Sequence, residues 1–477
     1  MPKDWSGSGL DLHLELDPAA GRRAGLERAL RDAIRTGRLG PGTVLPSTRA
    51  LARELGMARG TVSAAYDQLV AEGYLISRPG SGTSVAEVPD AAPGASAAET
   101  GTDPPRYDLR PGRPDLTTFP AAAWLRATRR VLAAMPAGAH ALGDPRGRVE
   151  LRTALAGYLG RARGVLAAPD RIVITNGYAQ ALNLLAQVLI ESGVTAIAME
   201  EPGHPYYRAI VQRTGLNVLP LPVDHLGART DLLTGEGFGQ AGAVVVTPAH
   251  QYPTGVILHP RRRHELTVWA RTTGGLIVED DYDGEFRYDR RPVGAVQGMA
   301  PEHVVHVGTA SKVLAPAVRL AWTVLPGRLV ERVAEAKLYA DAQTESLGQL
   351  ILADLIAGHG YDRHVRAGRL RYRRRRDLLV SRLRQRAPHV RVDGVAAGLH
   401  ALVGLPPAGP GEQDVLERAA AHRLALQPLA DHWLRPGDHP QGFVVGYSTP
   451  PEADYPAALD ALCAALGGAR FTHAPRR

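Results

Sequence analysis

Near the start of the chain, apolar residues recur at helical spacing three times. Leu26, Leu30, Ala33 and Ile34 predict a first helix, closed by the glycines and proline between Gly37 and Gly42. Ser47 is placed as the N-cap of a second helix carrying Leu51 and Leu55. After the ELGM turn at 54–57, Val62, Ala65, Tyr66, Leu69 and Val70 share one face of a third helix, which leaves Arg59, Thr61 and Ser63 pointing outward. YLISRPGSGTSV, at 74–85, reads as a strand, a glycine-rich turn and a second strand. Helix, helix, turn, helix and hairpin predict a winged helix-turn-helix over 12–86.

The pattern then breaks. EVPDAAPGASAAETGTDPPR, at 87–106, has no apolar period and is rich in Ala, Pro, Gly and small polar or acidic residues, so it reads as a linker. From 107 to 470 β-rich runs alternate with helical ones, the signature of an α/β domain. A length of 477 residues fits this division, because single cores stop growing well below it.

Composition changes the picture little. At 44% hydrophobic and 22% charged residues the chain is a folded globular protein. The single cysteine, Cys463, allows no intrachain disulfide, and MPKDWSGSGLDLHLEL lacks a signal peptide's features, which favours a cytoplasmic location. Apolar runs such as ALNLLAQVLI stop far short of the roughly 20 residues of a membrane span, so no membrane role is expected.

Charge is more telling by position than in total. Between residues 22 and 85 there are ten arginines and no lysine against five acids. Arg49 and Arg59 fall in the first turns of the second and third helices, where side chains reach phosphates and base edges. Arg78 sits beside Gly80 in the wing turn, which is free of bulky side chains and can enter a minor groove. Ser47, Arg49, Arg59, Thr61, Arg78 and Gly80 are therefore the candidate DNA-binding residues. RLRYRRRR, at 369–376, is read as a packing or solubility feature with no role in DNA binding.

The larger part holds different chemistry. DRIVITNGYAQALNLLAQVL, at 170–189, is a β run, a turn at Asn176-Gly177-Tyr178 and a helix, and a helix entered through glycine offers free N–H groups to an anion. GGLIVEDDYDGEFRY, at 274–288, predicts a buried strand that delivers Glu279, Asp280, Asp281 and Tyr282 at its carboxyl end, where α/β sheets place their ligands. A calcium loop is excluded because the remaining oxygen ligands are absent, and the histidines show no metal-ligand spacing, so no metal is expected. HVGTASKVLAPAVRLAW, at 306–322, places Lys312 among small residues with Arg319 seven positions on. A lysine for a Schiff base, a carboxylate for a pyridinium nitrogen and groups for a phosphate together point to pyridoxal 5′-phosphate.

On these residues the chain resembles known families. LPSTRALARELGMARGTVSAAYDQLVAEGYLISRPGSGT, at 45–83, is similar to the DNA-binding domain of GntR-family bacterial regulators, with Ala58 where a small hydroxyl residue more often caps the recognition helix. TNGYAQAL, EEPGHPYYR, TPAHQYPTG, VEDDYDGEFRY and GTASKVLAPAVRLAW follow the motif order of aminotransferases of the aspartate aminotransferase type, fold type I. The whole resembles the MocR-type regulators, in which the two parts are joined. The resemblance implies operator DNA as partner, a homodimer, and a small-molecule effector that is either the cofactor itself, as in members controlling vitamin B6 synthesis, or an amino compound. It implies that Lys312 forms the Schiff base, Asp280 pairs with the ring nitrogen, Tyr282 meets the ring hydroxyl, and Gly177, Tyr178, Thr309 and Arg319 hold the phosphate. His204 stands where an aromatic ring, usually tyrosine, stacks on the cofactor, with Tyr206 and Tyr207 as alternatives.

Two departures concern the substrate side. Tyr252 replaces the asparagine before the Pro-Thr-Gly sequence. Val444 stands where aminotransferases carry the arginine that clamps a substrate carboxylate, and Arg208 is the one motif-linked arginine placed to substitute for it. Working transamination is therefore the rival reading, and sensing the leading one.

Overall fold

The computed structural model describes residues 21–78, 82–87, 104–288 and 293–467. The chain forms two compact units, Met1–Asp103 and Pro104–Arg477. The expected outer limits at 12 and 470, the candidate Gly80 and most of the expected linker lie outside the described residues.

In the smaller unit α1 (Arg22–Arg35), α2 (Thr48–Glu54) and α3 (Arg59–Ala71) precede the strands β1 (Leu75–Arg78) and β2 (Gly82–Val85). Leu26, Leu30, Leu51, Val62 and Leu69 meet in one core, all fully buried. Each such side chain contributes roughly 1.5–3 kcal/mol on burial, and a unit this small depends on nearly all of them. Ser47 caps α2, its Oγ accepting from the Ala50 N–H at 3.2 Å. Ala58 offers α3 no side-chain cap, and its carbonyl accepts from the Thr61 N–H at 3.0 Å at the start of the helix that presents Arg59. β1 and β2 pair antiparallel from Leu75↔Val85 to Arg78↔Gly82, and Val44 bridges Ser84 to add a third edge. The Tyr66 hydroxyl donates to the Pro46 carbonyl at 3.0 Å, tying α3 to the turn before α2.

The larger unit is built on an eight-stranded sheet. Its spatial order is Ile172–Thr175, Ala321–Val324, Val304–Thr309, Leu276–Asp281, Ala241–Val246, Ala196–Glu201, Asn217–Asp224 and Gly227–Ala228. Ala321–Val324 runs antiparallel to both neighbours, and the central strands are parallel. Leu276–Asp281 and Val304–Thr309 are buried along their whole length, the acidic end Glu279–Asp281 of the first included. A smaller antiparallel sheet follows, ordered Arg391–Asp393, His400–Gly404, Gly442–Gly446, Gln427–Pro428.

The arginine-rich run lies on the helix Gly360–Arg386. Arg375 is only 2% exposed there; it donates to the Asp115 carboxylate at 2.7 Å, to Glu452 at 2.9 Å and to the carbonyls of Ser448 and Pro450. The run thus contains a buried packing arginine. No helix among the described residues is long and apolar enough to cross a membrane.

Candidate functional site

Strand alternation sorts the acidic motif. Glu279, Asp280 and Asp281 are the last three residues of Leu276–Asp281, at the carboxyl end of the strand as expected, and Tyr282 follows directly. Successive side chains face opposite sides of the sheet. Glu279 caps the Val296 and Gln297 amides at 2.7 and 2.9 Å. Asp281 is gripped by Arg163 through Nε at 2.6 Å and Nη2 at 2.8 Å. Burial pushes the Asp281 carboxyl up, but the Arg163 fork wins and holds it below the usual range. Breaking such a buried pair costs about 3–5 kcal/mol.

Asp280 alone of the three lines a cavity at the carboxyl end of the strand. It forms no salt bridge among the described residues, and burial raises its carboxyl well above the usual range; Lys312 opposes this, while Asp281, Asp283 and Glu200 add to it. A cation brought against Asp280 would relieve that cost.

Lys312 enters the same cavity from the loop after Val304–Thr309. Its Nζ donates to the Gly112 carbonyl at 2.6 Å. Burial lowers its ammonium from the ordinary lysine range, against the attraction of Asp280 and Asp283, so the amine is brought nearer to its nucleophilic form. Tyr282 and Tyr178 are cavity residues too. The Tyr282 hydroxyl donates to the His250 carbonyl at 3.0 Å.

An anion cradle forms next to this group. Gly177, at φ 88°, is the N-cap of the helix Tyr178–Glu191. A Cβ there would lie 3.0 Å from the Arg319 guanidinium, so only glycine lets the two approach. Arg319 itself takes a left-handed conformation, φ 53°, and donates to the Asn176 carbonyl. Thr309 Oγ1 lies 3.0 Å from Ser311 Oγ and donates to the Leu320 carbonyl at 3.3 Å, holding the loop that carries Lys312.

His204 lines the cavity in a ladder of rings, 4.3 Å from Tyr207 and 5.2 Å from Tyr252 between centroids. Burial, then Lys312, His432 and Arg208, drive its pKa down to about 3, so it presents a neutral face. Of the two alternatives, Tyr207 also lines the cavity, whereas Tyr206 is 58% exposed.

Several members were missed by sequence reasoning. Asp341 accepts from Asn176 Nδ2 at 2.7 Å, Gln180 Nε2 at 2.8 Å and Lys337 Nζ at 2.7 Å, tying the glycine turn to the helix Val330–Asp341. Asn176 and Gln180 were visible in the turn motif; their partners stand more than 150 residues away and carry no local signal. The fold also gathers His250, Asp283 and His400, a set capable of holding a metal that spacing along the chain does not reveal. His250 Nδ1 is engaged by Asp283 at 2.8 Å.

In the smaller unit Ser47, Arg49 and Arg59 are exposed, Thr61 is half-buried, and Arg78 ends β1 exposed.

The chain matches two family models, "Bacterial regulatory proteins, gntR family" over residues 23–85 and "Aminotransferase class I and II" over 108–440. It is 32% identical to the probable rhizopine catabolism regulatory protein MocR of Rhizobium meliloti, covering 89% of each chain. It is 31% identical to the pyridoxine biosynthesis transcriptional regulator PdxR of Corynebacterium glutamicum, over 89% of this chain and 91% of that one. The chain belongs to the MocR-type GntR regulators. The larger unit of this MocR-type chain shares its fold with the kynurenine aminotransferase of Pyrococcus horikoshii, with a TM-score of 0.69 at 24% identity over 77% of this chain and 91% of that one.

The cofactor of the aminotransferase-like domain is pyridoxal 5′-phosphate. The donor set fits it: a buried carboxylate without an ion-pair partner, a lysine of lowered basicity, and a glycine turn whose missing side chain leaves room beside a guanidinium. When bound, the cofactor supplies an electrophilic aldehyde and an electron-withdrawing ring. Lys312 would hold the aldehyde carbon, Asp280 the ring nitrogen, and Gly177, Tyr178, Thr309 and Arg319 the phosphate.

Lys312→Ala is expected to abolish the visible absorbance of the lysine-linked cofactor with the melting temperature retained; a variant to which borohydride still fixes the cofactor covalently would remove Lys312 from the role. Asp341→Asn is expected to weaken binding of pyridoxal 5′-phosphate about tenfold, the scale of one charge-assisted hydrogen bond, and to leave the affinity for pyridoxal unchanged. Equal losses for both ligands would show general damage instead.

Proposed function

We propose that this protein is a transcription regulator that binds operator DNA through its winged helix and responds to pyridoxal 5′-phosphate itself, with transamination not its output. The observation that carries the reading is Val444. It is fully buried on Gly442–Gly446, packed with Leu402, Leu429 and Tyr252. Where an aminotransferase offers a guanidinium to a substrate carboxylate, this chain has a sealed apolar contact. A carboxylate cannot be desolvated there without a partner. The named role of the PdxR relative supports control of vitamin B6 synthesis as the biological setting.

In this reading Arg49, Arg59, Thr61 and Ser47 face the DNA together with Arg78 and Gly80, and the protein acts in the cytoplasm as a homodimer that meets a two-fold operator. Aminotransferase-type dimerisation and the two half-sites of winged-helix operators both support that stoichiometry.

The test is to titrate cofactor-free protein with pyridoxal 5′-phosphate while following operator affinity, and then to repeat it with amino acids. A shift caused by the cofactor alone supports the proposal. An unchanged affinity with cofactor, joined to a shift caused by one amino acid, overturns it in favour of an amino-acid sensor. Arg59→Ala is expected to weaken operator binding by about 1–3 kcal/mol with the cofactor spectrum unaltered, measured by fluorescence anisotropy.

A further inference from the structure

The helix Gly360–Arg386 concentrates the positive charge of the larger unit. It carries eleven arginines and two aspartates, an excess of nine positive charges, while the formal net charge of the whole chain is +8. The rest of the chain is therefore close to neutral.

Burial divides these arginines into two sets. Arg369 donates to the Glu285 carbonyl, Arg375 to Asp115 and Glu452, and Arg382 and Arg386 to Asp460, which ties the helix to the body of the unit. Arg363, Arg366, Arg373, Arg374 and Arg384 are exposed instead, and at about 100° per residue they fall within about 120° of arc. The side chains of Arg363, Arg366, Arg374 and Arg384 have no hydrogen bond or salt bridge with a described residue. Arg373 has a loose one, 4.0 Å from Asp377, which is the one exposed acid of the helix. Elsewhere exposed helical arginines sit against acids: Arg23, Arg130 and Arg261 lie within 3.0 Å of Glu27, Asp354 and Glu265.

A face with five cations and one acid repels itself until an anion comes to it. A polyanion of regular spacing fits this one. From Arg363 to Arg384 the helix rises about 31 Å at 1.5 Å per residue. One DNA strand carries a phosphate about every 3.4 Å, so the face spans about nine of them, close to one turn of the duplex. An anionic membrane would instead need apolar side chains beside the cations, and Leu370 is the one large apolar residue exposed on this helix.

We propose that this arginine face is a second DNA-binding surface, which grips phosphates without reading sequence. Packing accounts for Arg375 but for none of the five exposed arginines. The surface rests on the reading that the protein binds operator DNA through its winged helix, and it adds affinity to that contact, not specificity.

The experiment uses the full chain loaded with pyridoxal 5′-phosphate and a random-sequence duplex of roughly 40 base pairs, with affinity followed by fluorescence anisotropy from about 50 to about 200 mM salt. The triple variant Arg366→Gln, Arg373→Gln, Arg374→Gln is expected to bind about tenfold more weakly at the lowest salt. Its plot of log affinity against log salt is expected to be shallower by about 0.9 for each arginine removed. Melting temperature and cofactor spectrum are expected to match the wild type, because all three side chains are exposed. Lysine at the same three positions keeps the charges and is expected to restore both the affinity and the slope. Arg129→Gln, Arg161→Gln, Arg213→Gln removes the same charge from exposed positions outside this helix and is expected to change neither. A glutamine variant of the face that keeps the wild-type slope and affinity would overturn the proposal. So would an equal fall in the second triple variant, which would show an effect of net charge without contact. Arg59→Ala on the operator tests the winged helix separately, so either reading can fail without the other.

Discussion

The site is organised by the cost of keeping Asp280 inside the protein. A carboxylate at the buried end of a central strand must be neutralised, paired or protonated. Its two neighbours are paid off locally, Glu279 by the Val296 and Gln297 amides and Asp281 by Arg163. Asp280 has neither, and among the described residues Lys312 is the cation that opposes its charge, itself held at reduced basicity by burial. The pocket is thus incomplete in charge, and the group that completes it carries a positive ring nitrogen and an aldehyde for the lysine. The histidines around that pair are neutral: His204, His400 and His432 all have pKa values below the ordinary histidine range, chiefly because they are buried.

The glycine turn that would hold the phosphate follows a different physical rule. There the requirement is close approach, met by a glycine with positive φ and an arginine that also takes a left-handed conformation. The turn is held from behind by the Asn176, Gln180, Lys337 and Asp341 network. The substrate side is where this chain parts from an enzyme of the same fold. Val444 removes a guanidinium from one wall.

Much of this was legible in the sequence because it depends on short-range pattern. Helical spacing in the smaller unit, the Ser47 cap and the pairing of β1 with β2 are local features, and α1–α3 lie where apolar periodicity placed them. That Lys312 and Asp280 share one cavity and that Gly177 meets Arg319 was legible through motif order. What stayed hidden depends on long-range closure. Arg163 meets Asp281 across 118 positions and Gly112 meets Lys312 across 200, and no spacing rule links such residues. The roles of Glu279, Asp280 and Asp281 also could not be separated before the strand was known to include all three, since only then does alternation give each a face. Arg208 could be nominated from its motif, but its bonds to the carbonyls of Gly203 and His432 are visible only in the fold.

The claim that Asp280 requires a cationic ring nitrogen is tested most directly on the bound cofactor itself. Pyridoxal 5′-phosphate labelled with ¹⁵N in the ring and bound to the full chain should show the chemical shift of a protonated pyridine nitrogen at neutral pH, and Asp280→Asn should move it to the unprotonated value. An unprotonated nitrogen in the wild-type protein would contradict the account, because the proton would then sit on the raised carboxyl of Asp280 and no cationic ring would be required.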